Sequence, residues 1–127
     1  MTRNERLPYE KVLVIDTHQR DYTSVALIQG DDICLSEEKL KAQSLPKMID
    51  NILKSEKLLP ANIDAYGLMK KDGSLTAIRI GTATINTLSW LNKKPVIEVA
   101  AENIQEACEN ILNSKVIRIT KTSLPLA

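Results

Sequence analysis

The apolar residues of this chain follow first one period and then another. Residues 11–16 (KVLVID) form a β-branched run with the length of a buried strand, and residues 22–29 (YTSVALIQ) form a second. Gly30-Asp31-Asp32 supplies turn chemistry, and residues 33–37 return as a third strand, so strands two and three read as a hairpin. The period then becomes helical: Leu45, Met48, Ile49, Ile52 and Leu53 fall at i, i+3, i+4, i+7 and i+8. Ser44 is the expected N-cap of this helix, Pro46 fits its first turn, and Pro60 bars further continuation. Residues 63–69 read as a fourth strand, Lys71-Asp72-Gly73-Ser74 as a turn, and residues 75–91 as a long second helix closed by Asn92 and Pro95. Residues 95–99 (PVIEV) are a fifth strand, and Ile104, Ala107, Cys108, Ile111 and Leu112 stripe a third helix. Residues 115–120 (KVIRIT) are either an edge strand or an extended tail.

The order β-β-β-α-β-α-β-α predicts one α/β domain, residues 11–127, behind a polar tail at residues 1–10. Right-handed crossovers place its five strands in a single mixed sheet of the ribonuclease-H-like kind. The second helix is unusual. Ile78, Gly81, Thr82, Ile85 and Leu88 lie on one face and Ile80, Ala83, Thr87 and Leu91 on another, a pattern expected of a helix covered on both sides.

Composition narrows the function. Of 127 residues, 43% are hydrophobic and 26% charged, but there is no Phe, one Trp and three Tyr, so the core is aliphatic and a base-stacking surface is not expected. Seventeen basic against sixteen acidic side chains give a net charge of +1, without a global field toward nucleic acid. No stretch approaches the roughly eighteen consecutive apolar residues of a membrane span, and the polar start does not resemble a signal peptide, so a cytoplasmic location is expected. Cys34 and Cys108 stand apart with no ligand spacing and read as buried free thiols.

Candidate chemistry is sparse. Asp16 and Asp72 fall where open α/β sheets place ligands, and Glu37 or Glu38 can join them, which frames a two-metal nuclease as an alternative reading. Asp72 before Gly73 is equally a turn residue, and no basic stripe accompanies the acids. His18, the only histidine, sits among polar neighbours as a solvent-facing turn residue. Ser74 and Thr76 open a helix and serve as caps, and the single Gly73 lacks the spacing of a phosphate loop. No metal, ATP or other cofactor is expected.

The segments VLVIDT, TSVAL, LPKMIDNIL, DGSLTAIRIGTATINTLSWL and KPVIEV, in this order, resemble the TsaB (YeaZ) family. Members open with a strand ending in Ile-Asp-Thr, carry an L-P-x-x-x-x-x-L helix, and show G-S-F-T-G-x-R-I-G-x-A-T before a P-[LV]-I-x-V strand. Here the signature stands as Gly73-Ser74-Leu75-Thr76-Ala77-Ile78-Arg79-Ile80-Gly81-Thr82-Ala83-Thr84. The resemblance runs from about Lys11 to Leu112. It implies an actin-like (ASKHA) lobe and a catalytically inert partner of the metal-dependent TsaD subunit, which with the ATPase TsaE makes N6-threonylcarbamoyladenosine on tRNA. Kinship with M22 peptidases and glycoproteases comes with it. Family members are about twice as long and carry a second lobe; their Gly-Pro-Gly is Lys71-Asp72-Gly73 here, and a histidine before the first helix is replaced near Gln43.

Together these features predict a non-enzymatic scaffold or regulatory subunit that pairs with a TsaD-like enzyme, and with a TsaE-like ATPase in the same assembly, without direct nucleic-acid contact. Alone it is expected to homodimerise; an orphan lobe that only homodimerises is the remaining reading. The interface is expected along Ala77, Gly81 and Thr84 of the second helix, with Met48 and Ile52 of the first.

Overall fold

A computed structural model describes residues 6–121. Six strands, β1 (Lys11–Gln19), β2 (Tyr22–Gln29), β3 (Asp32–Glu38), β4 (Ala65–Lys70), β5 (Val96–Ala100) and β6 (Arg118–Thr120), form one sheet in the order β3-β2-β1-β4-β5-β6. The pairs β1–β2, β2–β3 and β5–β6 are antiparallel, whereas β1–β4 and β4–β5 are parallel. Three helices, α1 (Leu45–Ser55), α2 (Leu75–Asn92) and α3 (Ile104–Leu112), make the crossovers.

Side chains alternate across each strand and so build two cores. Leu13, Ile15, Val25, Leu27, Tyr66 and Leu68 face α1 and α2, meeting Leu45, Met48, Ile49, Ile52, Leu53 and Ile85. Val12, Val14, Ala26, Ile28, Ala65, Met69, Ile97 and Val99 face α3, meeting Ile104, Ala107, Cys108 and Ile111. The central strands are buried on both faces, which explains their unbroken apolar runs.

Several boundaries differ from expectation. The sheet has six strands rather than five, because 118–120 pair with β5 and Arg118 Nε donates to Glu98 Oε2 at 2.6 Å. β1 continues three residues past Asp16 to Gln19, paired across a hairpin to Tyr22. Ser44 stands at the N-cap position of α1, as expected, but its side chain makes no cap bond, because it ends a single 3-10 turn, Ala42–Ser44, with helical backbone. α2 runs one residue further than expected, to Asn92, and is capped by Lys93, whose left-handed backbone (φ 55°) lets Lys94 N–H reach Ser89 O. Residues 1–5 of the expected polar tail lie outside the described residues. From Arg6 onward that segment is held: Arg6 pairs with Asp31 at 2.5 Å, Gly30 N–H donates to Glu10 O, and Leu7 and Tyr9 pack on the α3-side core.

Candidate docking groove

The signature segment places α2. Gly73 passes so close to β1 that a side chain there would put its Cβ 2.0 Å from the His18 carbonyl oxygen, which accepts from Ser74 N–H at 2.8 Å. Ser74 Oγ then accepts from Ala77 N–H at 3.3 Å, satisfying one free donor of the first turn. His18 is itself held, its backbone N–H and its ring Nδ1 both bonded to Asp16 Oδ1, at 2.9 and 2.6 Å. A carboxylate fixing the imidazole at the strand end thus positions the carbonyl that receives α2.

His18 is therefore not a solvent-facing turn residue: its side chain is only 12% exposed and belongs to β1. The hairpin turn falls two residues later than its polar neighbours suggest, and the aspartate two positions upstream was the available signal. Asp16 is buried at 7% exposure and bonded to His18, whereas Asp72 is exposed in the turn before α2. Glu37 instead accepts from Tyr22 Oη at 3.1 Å, and Glu38 is exposed. Among the described residues, no three His, Cys, Asp or Glu side chains gather where they could hold a metal ion.

Along α2, the stripe Ala77, Gly81, Ile85 and Ser89 is buried against the sheet. A Cβ on Gly81 would lie 2.2 Å from Thr17 Oγ1, so glycine lets the helix axis approach β1 closely. This corrects the expected interface. Ala77 and Gly81 face the chain's own sheet, and Met48 and Ile52 are core residues only 2% and 5% exposed. Of the five, only Thr84 reaches the surface. It does so in a groove of about 500 Å³ between the two helices, whose apolar wall is formed by Ile49 and Leu53 of α1 with Ala83, Thr84, Thr87 and Leu88 of α2. Asp50 stands at its lip, paired with Lys54 at 2.8 Å.

Two further clefts flank the start of α2. One, about 390 Å³, lies between Arg20, Lys41 and Gln43 and the α2 residues Thr76 and Ile80. The other, about 470 Å³, opens at the ends of β1 and β4 over Leu68, Met69 and Ile78, rimmed by Lys70, Lys71 and Asp72. Lys70 is turned to Glu98 at 3.7 Å and Lys71 to Glu102 at 3.0 Å.

Comparison with known proteins gives the family. Residues 37–114 match the family model described as TsaD: tRNA N6-adenosine threonylcarbamoyltransferase. No curated protein matches the chain at a significant level. Among solved structures, YeaZ from Pseudomonas aeruginosa is similar with a TM-score of 0.67 and 24% identity, over 72% of this chain and 44% of that one. A second structure, described as an uncharacterized protein from Pseudomonas aeruginosa with similarity to peptidase YEAZ, matches with the same TM-score and identity over 72% and 43%. The chain thus spans less than half the length of these proteins, and what it shares with them is the fold. Because the family match covers more than half of the chain and includes every helix of the fold, this protein belongs to the family described as TsaD, tRNA N6-adenosine threonylcarbamoyltransferase.

Proposed function

We propose that this chain is a non-catalytic lobe serving tRNA threonylcarbamoyladenosine modification, and that it works by docking a TsaD-like subunit across the groove between α1 and α2. Membership of the family supplies the pathway. The observation that carries the docking role is the apolar, open groove of about 500 Å³ that α1 and α2 leave between them. A monomer gains nothing by leaving such a surface uncovered, and a helix laid into it follows a recurrent mode of protein recognition. Asp16 is engaged by His18, and among the described residues no set of three acids gathers where it could hold a metal ion, which disfavours the nuclease alternative.

The test is co-purification and calorimetry of this chain with the TsaD-like subunit of the same organism. Binding is expected for the native chain and is expected to be lost in Ala83→Glu and Thr84→Arg, which load the groove with charge while leaving the core intact. If the native chain fails to bind, or both variants bind like it, the docking role is wrong. Light scattering of the chain alone separates a homodimer on the same face from a free monomer.

A further inference from the structure

We propose that the docking face has a polarity: it takes an amphipathic helix of a partner protein whose apolar seam fills the groove and whose acidic end lies over Arg20 and Lys41. The inference rests on the docking reading above and specifies the chemistry of the partner. The small cleft and the larger groove follow each other along the same edge of α2, the first reached by Thr76 and Ile80, the second by Ala83, Thr84 and Thr87. At 1.5 Å per residue, that edge is about 17 Å long, enough for roughly three turns of a docked helix.

The two ends differ in charge. The lower end, between Leu53, Pro60 and Leu88, presents no charged group to the groove. The upper end carries Arg20 and Lys41, both exposed, and among the described residues neither has an acidic partner. The surrounding helices continue the bias. α2 has Arg79 and no acidic residue, and α1 has Lys47 and Lys54 against Asp50, already paired with Lys54. A second copy of this chain laid parallel on the same face would set these cations against their own kind, and one laid antiparallel would bring its uncharged lower end over them and leave them unpaired. The acidic side chains of α3, Glu106 and Glu109, belong to a helix whose apolar stripe is buried in the core and cannot serve as the seam. An acidic helix from a different protein satisfies both ends, and charge complementarity of this sort chiefly sets orientation and association rate.

Two fluorescein-labelled amphipathic peptides of three to four turns, with one leucine seam, test this. One ends in three glutamates and the other in three lysines at the corresponding positions. By anisotropy at low salt the acidic peptide is expected to bind about tenfold more tightly, an effect of two to three rim charges. The preference is expected to vanish in Arg20→Glu/Lys41→Glu and in about 0.5 M salt, where screening falls below contact range. The control Lys93→Glu, at the far end of α2, is expected to keep it. Equal affinity for the two peptides, or no binding of either, overturns the proposal. In parallel, the TsaD-like subunit is titrated against the native chain and the double reversal. Capture that ignores the reversal overturns the polarity while leaving the docking role standing; a peptide preference without capture of the subunit supports the polarity and removes the TsaD-like partner.

Discussion

Replacing Gly81 with alanine tests whether close contact between α2 and β1 governs the architecture. In a free helix the change is favourable by about 1 kcal/mol, because glycine spends backbone entropy to become helical. Here the new Cβ would sit 2.2 Å from Thr17 Oγ1 and 3.1 Å from both Thr17 Cγ2 and Ile15 Cδ1. Ordinary contact requires about 3.5 Å between such atoms, so roughly 1 Å of movement is needed. Thr17 is β-branched and stiff, it is only 4% exposed, and Ile15 is fully buried, so neither side chain can simply swing away. Overpacking of this kind costs about 1–3 kcal/mol, leaving Gly81→Ala destabilised by up to about 2 kcal/mol after the helix gain. Thr17→Ala removes two of these three atoms, the nearest among them. Alone it costs about 1 kcal/mol in lost packing, but combined with Gly81→Ala it relieves the clash, so the double variant is expected to be at least about 1 kcal/mol more stable than the sum of the single changes. Urea unfolding followed by far-ultraviolet circular dichroism gives all four values. If Gly81→Ala is more stable than the native chain by the helix gain, or if the two changes add, the contact does not control helix placement. If Gly81→Ala keeps its stability and instead weakens partner binding, Gly81 belongs to an interface after all.

Other outcomes follow from the same geometry. Ile85→Glu puts a charge at a fully buried site and is expected to abolish the cooperative melt, since the cost of several kcal/mol is comparable to the whole stability of a small domain, whereas exposed Ala83→Glu is expected to melt normally and lose only partner binding. If both unfold, the groove is not a free surface. Burial, with the negative charge of Glu109 beside it, pushes the Cys108 thiol up to about 12, so thiolate is scarce at pH 8 and a disulfide-exchange reagent is expected to miss Cys108 until denaturant is added. Rapid labelling of Cys108 in the native protein contradicts its placement on the buried stripe of α3. The Arg118 guanidinium, donating to Glu98, holds that carboxyl below its usual range despite partial burial, with Lys70 adding to the effect. A depressed carboxylate pKa stabilises the fold above the unfolded value, near 4.5, and the gain disappears as pH falls through the folded one. The difference in stability between the native chain and Arg118→Gln is therefore expected to be flat around neutral pH and to shrink in acid; a difference that grows in acid has the wrong sign for this pair.

Much of the architecture was legible in order along the chain. The unbroken apolar runs at 12–15 and 25–28, the turn at Gly30, and the helical stripe from Leu45 to Leu53 each express one local rule that tertiary packing then obeyed. The motif around Gly73 pointed to the family through residues whose roles are local: glycine for a close pass, serine for a cap. The sixth strand was ambiguous because a three-residue edge acquires its pairing from Glu98, a residue twenty positions away. His18 looked solvated because its neighbours are polar, yet its environment is set by Asp16 and by the arrival of Ser74 from a remote segment. The docking face shows the division most clearly. Sequence showed that α2 has two apolar sides but could not tell core from surface, because small residues such as Ala77, Gly81, Ala83 and Thr84 satisfy either. The close approach of α2 to β1 made Ala77 and Gly81 core, and the gap between α2 and α1 left Ala83 and Thr84 in the open groove. Periodicity reports that a face is apolar; only the packing of other elements against it decides whether the chain covers that face itself.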